Sequence, residues 1–489
     1  MSTDFKIISS NNQSNNQVMA NEQHSENIPK PKIISSNSEP KKEWFDYNFD
    51  STSSSEIRLD NELKQTPSSP KELSLLNPQF ETQANPQPKI KKIMPRWFNQ
   101  LFCFENFIFA AIIVCLLVIR WIFLPVESGD YNNFLKPWIK FIRENDGFKA
   151  FGQKFYDYTP PYVYLLWVGT VLQIPDLLWI KSISIFFEFI LAFFVAKIVA
   201  IKSPKLQSFA FLATLSLPNV LFNGSWWGQC DVIYTTFVIG CLYYILARKY
   251  LSAMIFLAIA LTLKLQSIFF APLILLLVIT RNLPKITLIL QPVIIGIVYL
   301  LAIWPANIMG RALFDSSATT KDGLLTIYFS QSNVYKGLTM GPIPNIYQWF
   351  DNDKYQWFYP AGIVVAITAV LFVLYWVVKA KLTYISNDLI IKFAFLFTLI
   401  VPYLLPKMHE RYFFIAEIMA VIFAFWFPKK FWVGVWMTLI SFSIYISQVI
   451  SGPIPDLLHR QFNAIWVLII IVIVIHDIVT TANLKDKFN

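Results

Sequence analysis

Histidine, cysteine and charge are scarce in this chain. Its 489 residues include four histidines and four cysteines, and 15% are charged. The histidines are scattered, the cysteines (Cys103, Cys115, Cys230 and Cys241) lack metal-ligand spacing, and no acid–X–acid pair follows an apolar run. No metal and no other cofactor is therefore expected. Cys115 and Cys241 lie inside apolar runs, which argues against a disulfide framework or a redox motif. Glycine numbers only 15 and builds no phosphate cradle, so a soluble nucleotide-binding domain is not expected. The N-terminus has no apolar core, so no signal peptide is expected.

What the chain does have is apolar length. It is 55% hydrophobic and 17% aromatic, with a mean hydropathy of +0.47, and its apolar residues come in runs near the length a bilayer demands. An all-α polytopic membrane protein is expected. The net charge is +10, and residues 1–96 carry 12 Lys+Arg against 12 Asp+Glu, so the whole excess lies in the membrane part. There it reads as cytoplasmic loop anchoring, with no nucleic-acid partner.

Residues 1–95 are rich in Asn, Ser, Gln, Pro and Lys. Such a segment cannot bury enough surface to offset its ordering entropy, and a disordered cytoplasmic tail is expected. Residues 96–489 form the membrane domain. Lys89, Lys91, Lys92 and Arg96 precede the first span, near 107–124, and set the N-terminus in the cytoplasm. Further runs lie near 178–200, 208–222, 232–247, 251–264, 266–280, 286–304, 358–378, 388–405, 412–427, 431–450 and 462–480. Together they give about twelve transmembrane helices. Arg248-Lys249, Arg281 with Lys285, Lys379 with Lys381, Lys429-Lys430 and Lys485 with Lys487 then all fall on the cytoplasmic side. The apolar segment 161–174 is too short to cross, and crossing would invert that pattern, so a re-entrant or interfacial helix is expected there. Between Phe134 and Arg143, apolar residues at helical spacing oppose Lys136, Lys140 and Arg143, which reads as a helix lying in the interface.

This parity collects the unusual polar residues outside, in the loops 125–177 and 305–357 and at three helix ends. Asp130 follows the first span and is the candidate catalytic carboxylate. Asp231 closes the string Trp226-Trp227-Gly-Gln229-Cys-Asp231. Lys264 and Gln266 interrupt the apolar run 251–280; a short helical hairpin there brings Lys264 to the outer surface, as a point charge for phosphate or as a snorkelling side chain. Lys407-Met-His409-Glu410-Arg411 opens a span with four ionisable residues in five. The helix dipole favours anions at that position, so cations there are explained by an anionic ligand such as phosphate, held by Arg411 and His409. Arg311, Tyr328, Tyr335 and Asn345, in the 305–357 loop, are candidates for binding a second substrate.

Taken in order, several strings carry a resemblance: Gly129-Asp130-Tyr131 with Phe134-Leu135 and Pro137-Trp138, Tyr158-Thr-Pro-Pro-Tyr162, Asn223 through Asp231, Lys264, Pro342-Ile-Pro-Asn345, and Met408-His-Glu-Arg-Tyr-Phe413. Over about residues 100–450 the chain resembles the GT-C class of integral-membrane glycosyltransferases, most closely the bacterial proteins similar to eukaryotic GPI mannosyltransferase II. The resemblance implies a GT-C-like fold and an inverting transfer of mannose or another hexose. The donor is a polyprenyl-phosphate-linked sugar bound from the outer leaflet, and the acceptor is the hydroxyl of a glycan or lipid. In that scheme Asp130 is the general base, and Lys264, His409 and Arg411 hold the donor phosphate. Trp227, Gln229, Asp231, Glu410, Asp157, Tyr158 and Asn345 bind substrate, among membrane lipids and without metal. GT-C enzymes commonly carry paired acids in the first outer loop. Here Gly129 and Tyr131 flank Asp130, leaving Glu127 or Asp157 as the second acid. The resemblance points to a bacterial plasma (inner) membrane with the site on its outer face, or to the endoplasmic reticulum membrane if the chain is eukaryotic. The alternatives are a transporter or flippase of lipid-linked sugars, expected to show ionisable groups near the midplane, and an envelope polysaccharide polymerase or ligase.

Overall fold

The computed structural model describes residues 104–314, 323–334, 336–449 and 456–486. The disordered tail expected over 1–95, Cys103, Tyr335 and Lys487 lie outside the described residues. Those described form an all-α membrane protein in which six helices are long and apolar enough to cross a bilayer.

The long helices are α1 (Phe104–Phe123), α4 (Asp176–Lys202), α9 (Thr287–Ile308), α11 (Tyr355–Lys379), α12 (Asn387–Leu404) and α15 (Asp456–Asp486). Between them lie α2 (Lys136–Glu144), α3 (Pro160–Val171), α5 (Gln207–Ser216), α6 (Asp231–Leu246), α7 (Tyr250–Leu263), α8 (Ala271–Ile279), α10 (Ile327–Val334), α13 (Phe414–Trp426) and α14 (Phe431–Val449). Burial sorts the long helices. The apolar window of α12 is 72% buried, whereas those of α1, α9 and α11 are 11%, 17% and 22% buried. With every backbone group satisfied inside a helix, the outer helices can turn bare apolar side chains to lipid. Helix α12 packs between α11, α13 and α15 at the centre.

Polar contacts sort the helix ends into two sets. At one end Lys202 meets Asp388 at 3.0 Å, Trp426 Nε1 donates to Asp388 at 2.7 Å, Asn282 donates to the Ile385 carbonyl at 2.8 Å, and Lys392 meets Asp477 at 3.0 Å. Helices α6, α8 and α11 stop at this end. Two residues past each stop, Arg248, Arg281 and Lys381 take left-handed backbone (φ 59°, 61° and 49°). Glycine is the usual residue for that turn. A cation there is offset by its attraction to the negative end of the helix dipole.

At the other end Ser128 Oγ donates to the Trp227 carbonyl at 2.6 Å, Thr159 Oγ1 to that of Leu263 at 3.1 Å, and Lys181 Nζ to those of Phe123 and Val126 at 2.6 and 2.7 Å. Helix α3 both starts and finishes among these elements. Thr159 precedes it, and Asp176 just beyond it accepts from Arg143 Nη1 of α2 at 2.9 Å. At 12 residues it is about 18 Å long, well short of the ~30 Å hydrocarbon layer. The segment expected to be re-entrant or interfacial therefore returns to the end it left.

The chain reverses at Lys264, and the helices on either side pack on different neighbours. Helix α7 packs on α6 and α9, while α8 packs on α9, α11 and α12. Between them Lys264 is fully extended (φ −156°, ψ 134°), followed by a 3-10 turn over Leu265–Phe270. From this extended residue the lysine side chain reaches Asp231 of α6.

Candidate functional site

At the second end, residues from seven separate segments line a cavity of about 300 Å³. Two π-helical turns, Tyr131–Leu135 and Leu221–Trp226, bring its first wall together. Each wider turn disrupts the regular ladder, a feature common beside functional sites. Ser128 links them, accepting from Tyr131 N at 3.1 Å while donating to Trp227. Past the second turn Gly228 takes φ +77°, which lets Gln229 N return to the Asn223 carbonyl at 2.9 Å while Ser184 Oγ donates to the Gln229 carbonyl at 2.7 Å. Thus fixed, Gln229 Nε2 donates to Asp130 Oδ2. Arg411 Nη1 reaches the same oxygen at 3.2 Å. Among the described residues both bonds go to Oδ2, and the Asp130 side chain stays 29% exposed.

A second carboxylate lies beneath. Asp231 is fully buried at the first turn of α6. It accepts from Lys264 Nζ at 2.5 Å and Asn223 Nδ2 at 2.9 Å, with Arg411 Nε 3.5 Å away. Lys264 sits between the rings of Tyr158 and Tyr234, at 5.5 and 5.4 Å from their centroids. Burial alone would depress its pKa; the Asp231 charge outweighs that and holds it well above the ordinary lysine value.

The third carboxylate, Glu410, is buried beside Arg411 (3.5 Å) and His409 (Nδ1 at 3.3 Å). Burial pushes its pKa up, but the His409 hydrogen bond and the Arg411 guanidinium outweigh it and hold the carboxyl below the ordinary glutamate value. Strand β1 (Thr339–Met340) pairs in parallel with β2 (Met408–His409), setting Met340 against His409. Gly341 follows at φ +124°, and a Cβ there would lie 2.3 Å from Glu410 Oε2. Only glycine leaves room for the carboxylate.

Asp130, Asp157, Tyr158, Gln229, Lys264, His409 and Arg411 thus line one cavity. Asp231 and Glu410 form a buried layer behind it, and the Trp227 ring backs Arg411 at 5.6 Å. Asn345 is elsewhere: its side chain caps the turn Ile346–Trp349, accepting from Tyr347 N at 3.1 Å and donating to the Leu405 carbonyl at 3.3 Å. It is not among the residues that line the cavity. Two of the expected phosphate ligands have carboxylate partners of their own. Lys264 and Arg411 are already engaged by carboxylates, and three acids here face two fixed cations, so the cluster carries no free positive charge. Lys264 keeps two N–H donors beyond the one given to Asp231.

Cavity residues that were not among the expected site residues include Trp138, Tyr162, Gln331, Met340 and Tyr412. Tyr162 lies in the Thr-Pro-Pro-Tyr string and Tyr412 beside Arg411, so adjacency was a usable signal; Gln331, in α10, had none. Cys230 also lines the cavity, but burial pushes its thiol up to about 11, so it is a neutral wall group at pH 7. Among the described residues no group of three or more His, Cys, Asp or Glu is arranged to hold a metal ion. No family model matches the chain, and no curated protein matches it.

Proposed function

We propose that this cavity transfers a hexose, mannose or another, from a polyprenyl-phosphate donor to an acceptor hydroxyl, with inversion at C1. In this reading α1, α4 to α9 and α11 to α15 cross a bacterial inner membrane, the shorter of them lengthened by the 3-10 and π turns that flank them, and the cavity opens on its outer face. In a eukaryote the membrane is that of the endoplasmic reticulum.

One observation carries the reading: a part-exposed carboxylate, Asp130, held at a cavity wall by donors from two other segments. Fixing one oxygen with Gln229 and Arg411 leaves Oδ1 to accept a proton. An acceptor hydroxyl donates to Oδ1 and attacks the sugar C1 from the face opposite the phosphate. The C1–O bond to phosphate breaks, and polyprenyl phosphate leaves with the bonding pair. The spare N–H donors of Lys264, with His409, meet the charge that develops on it. Asp231 keeps Lys264 charged and oriented, and Glu410 orients the His409 ring through Nδ1. The cavity volume is at the low end of small-ligand sites (~300–1,000 Å³), in keeping with a single sugar ring. The alternating-access reading is less well supported, because Asp130, Lys264, His409 and Arg411 gather at one end of the bundle instead of its middle.

The test is label transfer from a short-chain polyprenyl phosphate carrying radiolabelled mannose, run beside the same label on a nucleotide. The reading predicts product from the lipid donor alone, with the anomer inverted by NMR. Product from the nucleotide alone would contradict it.

A further inference from the structure

A second feature at this end calls for an anion. Arg311 is 5% exposed, yet its Nε and Nη1 have no hydrogen-bond partner. Its guanidinium lies against Tyr156, 4.4 Å from the ring centroid, and apart from that arginine the Tyr156 hydroxyl has no polar partner among the described residues. The other buried cations among the described residues are compensated. Arg120, Lys264, Lys392 and Arg411 each meet a carboxylate, and Lys181 meets two carbonyls. A guanidinium stripped of water without gaining an acceptor is costly, and a bound anion removes that cost.

The backbone is built to present it. Gly310 turns at φ +108°, which glycine adopts without strain. Arg311 N donates to the Ala306 carbonyl at 3.1 Å, and its own carbonyl accepts from Asn307 Nδ2 at 2.9 Å. Position selects the kind of anion. Ile297, Leu301, Trp304 and Ile308 of α9 are 53%, 61%, 59% and 62% exposed and fall on one helix face. Arg311 comes three residues after that apolar stripe, where a lipid chain lying along α9 ends in its headgroup. The arginine fork matches phosphate oxygens.

We propose that Arg311, with the Tyr156 hydroxyl, binds the phosphate of a membrane lipid whose chain runs along α9. The site is separate from the cavity and does not depend on the glycosyl-transfer reading. The ligand is either a lipid phosphate monoester of the donor or product type, or a bulk phospholipid.

Titration of the full chain in neutral detergent tests this, with dodecyl phosphate as ligand, dodecanol as the uncharged control and dioleoylphosphatidylglycerol as the bulk lipid. Dodecyl phosphate should bind about tenfold or more tighter than dodecanol. Any preference for the phosphate that the cavity contributes is common to wild type and variants; Arg311→Met should lose the remainder and Arg311→Lys keep part of it. Ligand-free Arg311→Met should be at least as stable as wild type, since only the contact with Tyr156 is lost and a buried charge is removed. Preference for dodecyl phosphate over phosphatidylglycerol assigns a monoester ligand; equal binding assigns bulk phospholipid. Unchanged dodecyl phosphate binding in both variants overturns the proposal, as does a ligand-free Arg311→Met that is strongly destabilised while Arg311→Lys is not. Sugar transfer failing in a wild type that still binds dodecyl phosphate through Arg311 would count against the transferase reading only.

Discussion

Replacing Lys264 by methionine tests the electrostatic core of the site. The ammonium lies 2.5 Å from Asp231, with side-chain exposures of 11% and 0%. Removing one partner of a buried pair leaves the other charge unpaired and typically costs about 3–5 kcal/mol. Asp231 retains Asn223 at 2.9 Å and Arg411 at 3.5 Å, so the lower figure applies, about 3 kcal/mol. On the entropy scale of soluble proteins that lowers a thermal midpoint by about 4 °C. Asp231→Asn alone leaves the lysine unpaired and should cost a similar amount. The double variant, Lys264→Met with Asp231→Asn, removes both charges and should recover at least ~1 kcal/mol relative to the sum of the singles. The assay is detergent-solubilised thermal denaturation at one pH and one scan rate, because unfolding here is read as a rate. Additive effects, or a Lys264→Met protein as stable as wild type, would refute the pairing and with it the buried-layer argument.

Other consequences follow from single contacts. Arg120→Leu strands Glu188, its partner at 2.6 Å in a fully buried pair, and should cut the yield of folded protein more than Arg120→Leu with Glu188→Leu; equal yields would contradict this. Gly224→Ala sets a Cβ 2.2 Å from Glu188 Oε1 and should lower the denaturation midpoint, whereas Gly296→Ala, with open space around it, should not. Glu410 has a folded pKa below its ordinary 4.5, so the stability it contributes is complete above that value and is lost as pH falls through the folded pKa. Glu410→Gln should therefore flatten the loss of thermal midpoint below about pH 4.5; an unchanged acid profile would contradict the assignment. Asn345→Ala should lower stability by about 1 kcal/mol through its lost cap and leave the substrate KM unchanged, a shifted KM being the contrary result.

Much of this architecture was legible because apolar length and basic clusters are local. The extents of α1, α4, α9, α11 and α12 follow runs visible along the chain, and Arg248, Arg281 and Lys381 mark turns at one end of the bundle. The short, turn-bounded stretch after Thr159 could also be read, since Pro160-Pro161 starts a helix too short to cross. Harder to read was anything set by pairing across sequence distance. Asp231 and Lys264 are 33 residues apart, and Asp130 and Arg411 are 281 apart. Each was noticed as a charge at a helix end, yet no local pattern says that these charges neutralise one another, which is why phosphate was assigned to cations already engaged. The capping bond of Asn345 was hidden for a related reason: a polar residue after Ile-Pro looks like a ligand, and the bond appears only with the turn it closes. Arg311 was visible as a loop cation, but that its guanidinium is buried without a partner is a property of the packed fold.

The central claim is that Asp130 takes the proton of an acceptor hydroxyl at a cavity that receives a lipid-phosphate sugar. The most direct measurement is the single-turnover rate of mannose transfer from a short-chain polyprenyl-phosphate donor, in wild type and in Asp130→Asn, at matched folding and matched donor occupancy. Asparagine keeps the shape and the contact with Arg411 but cannot accept a proton as a base. The account predicts a rate lower by about 10²–10⁴ with little change in donor affinity. A variant that transfers at the wild-type rate would contradict it and move the base to another group at the cavity.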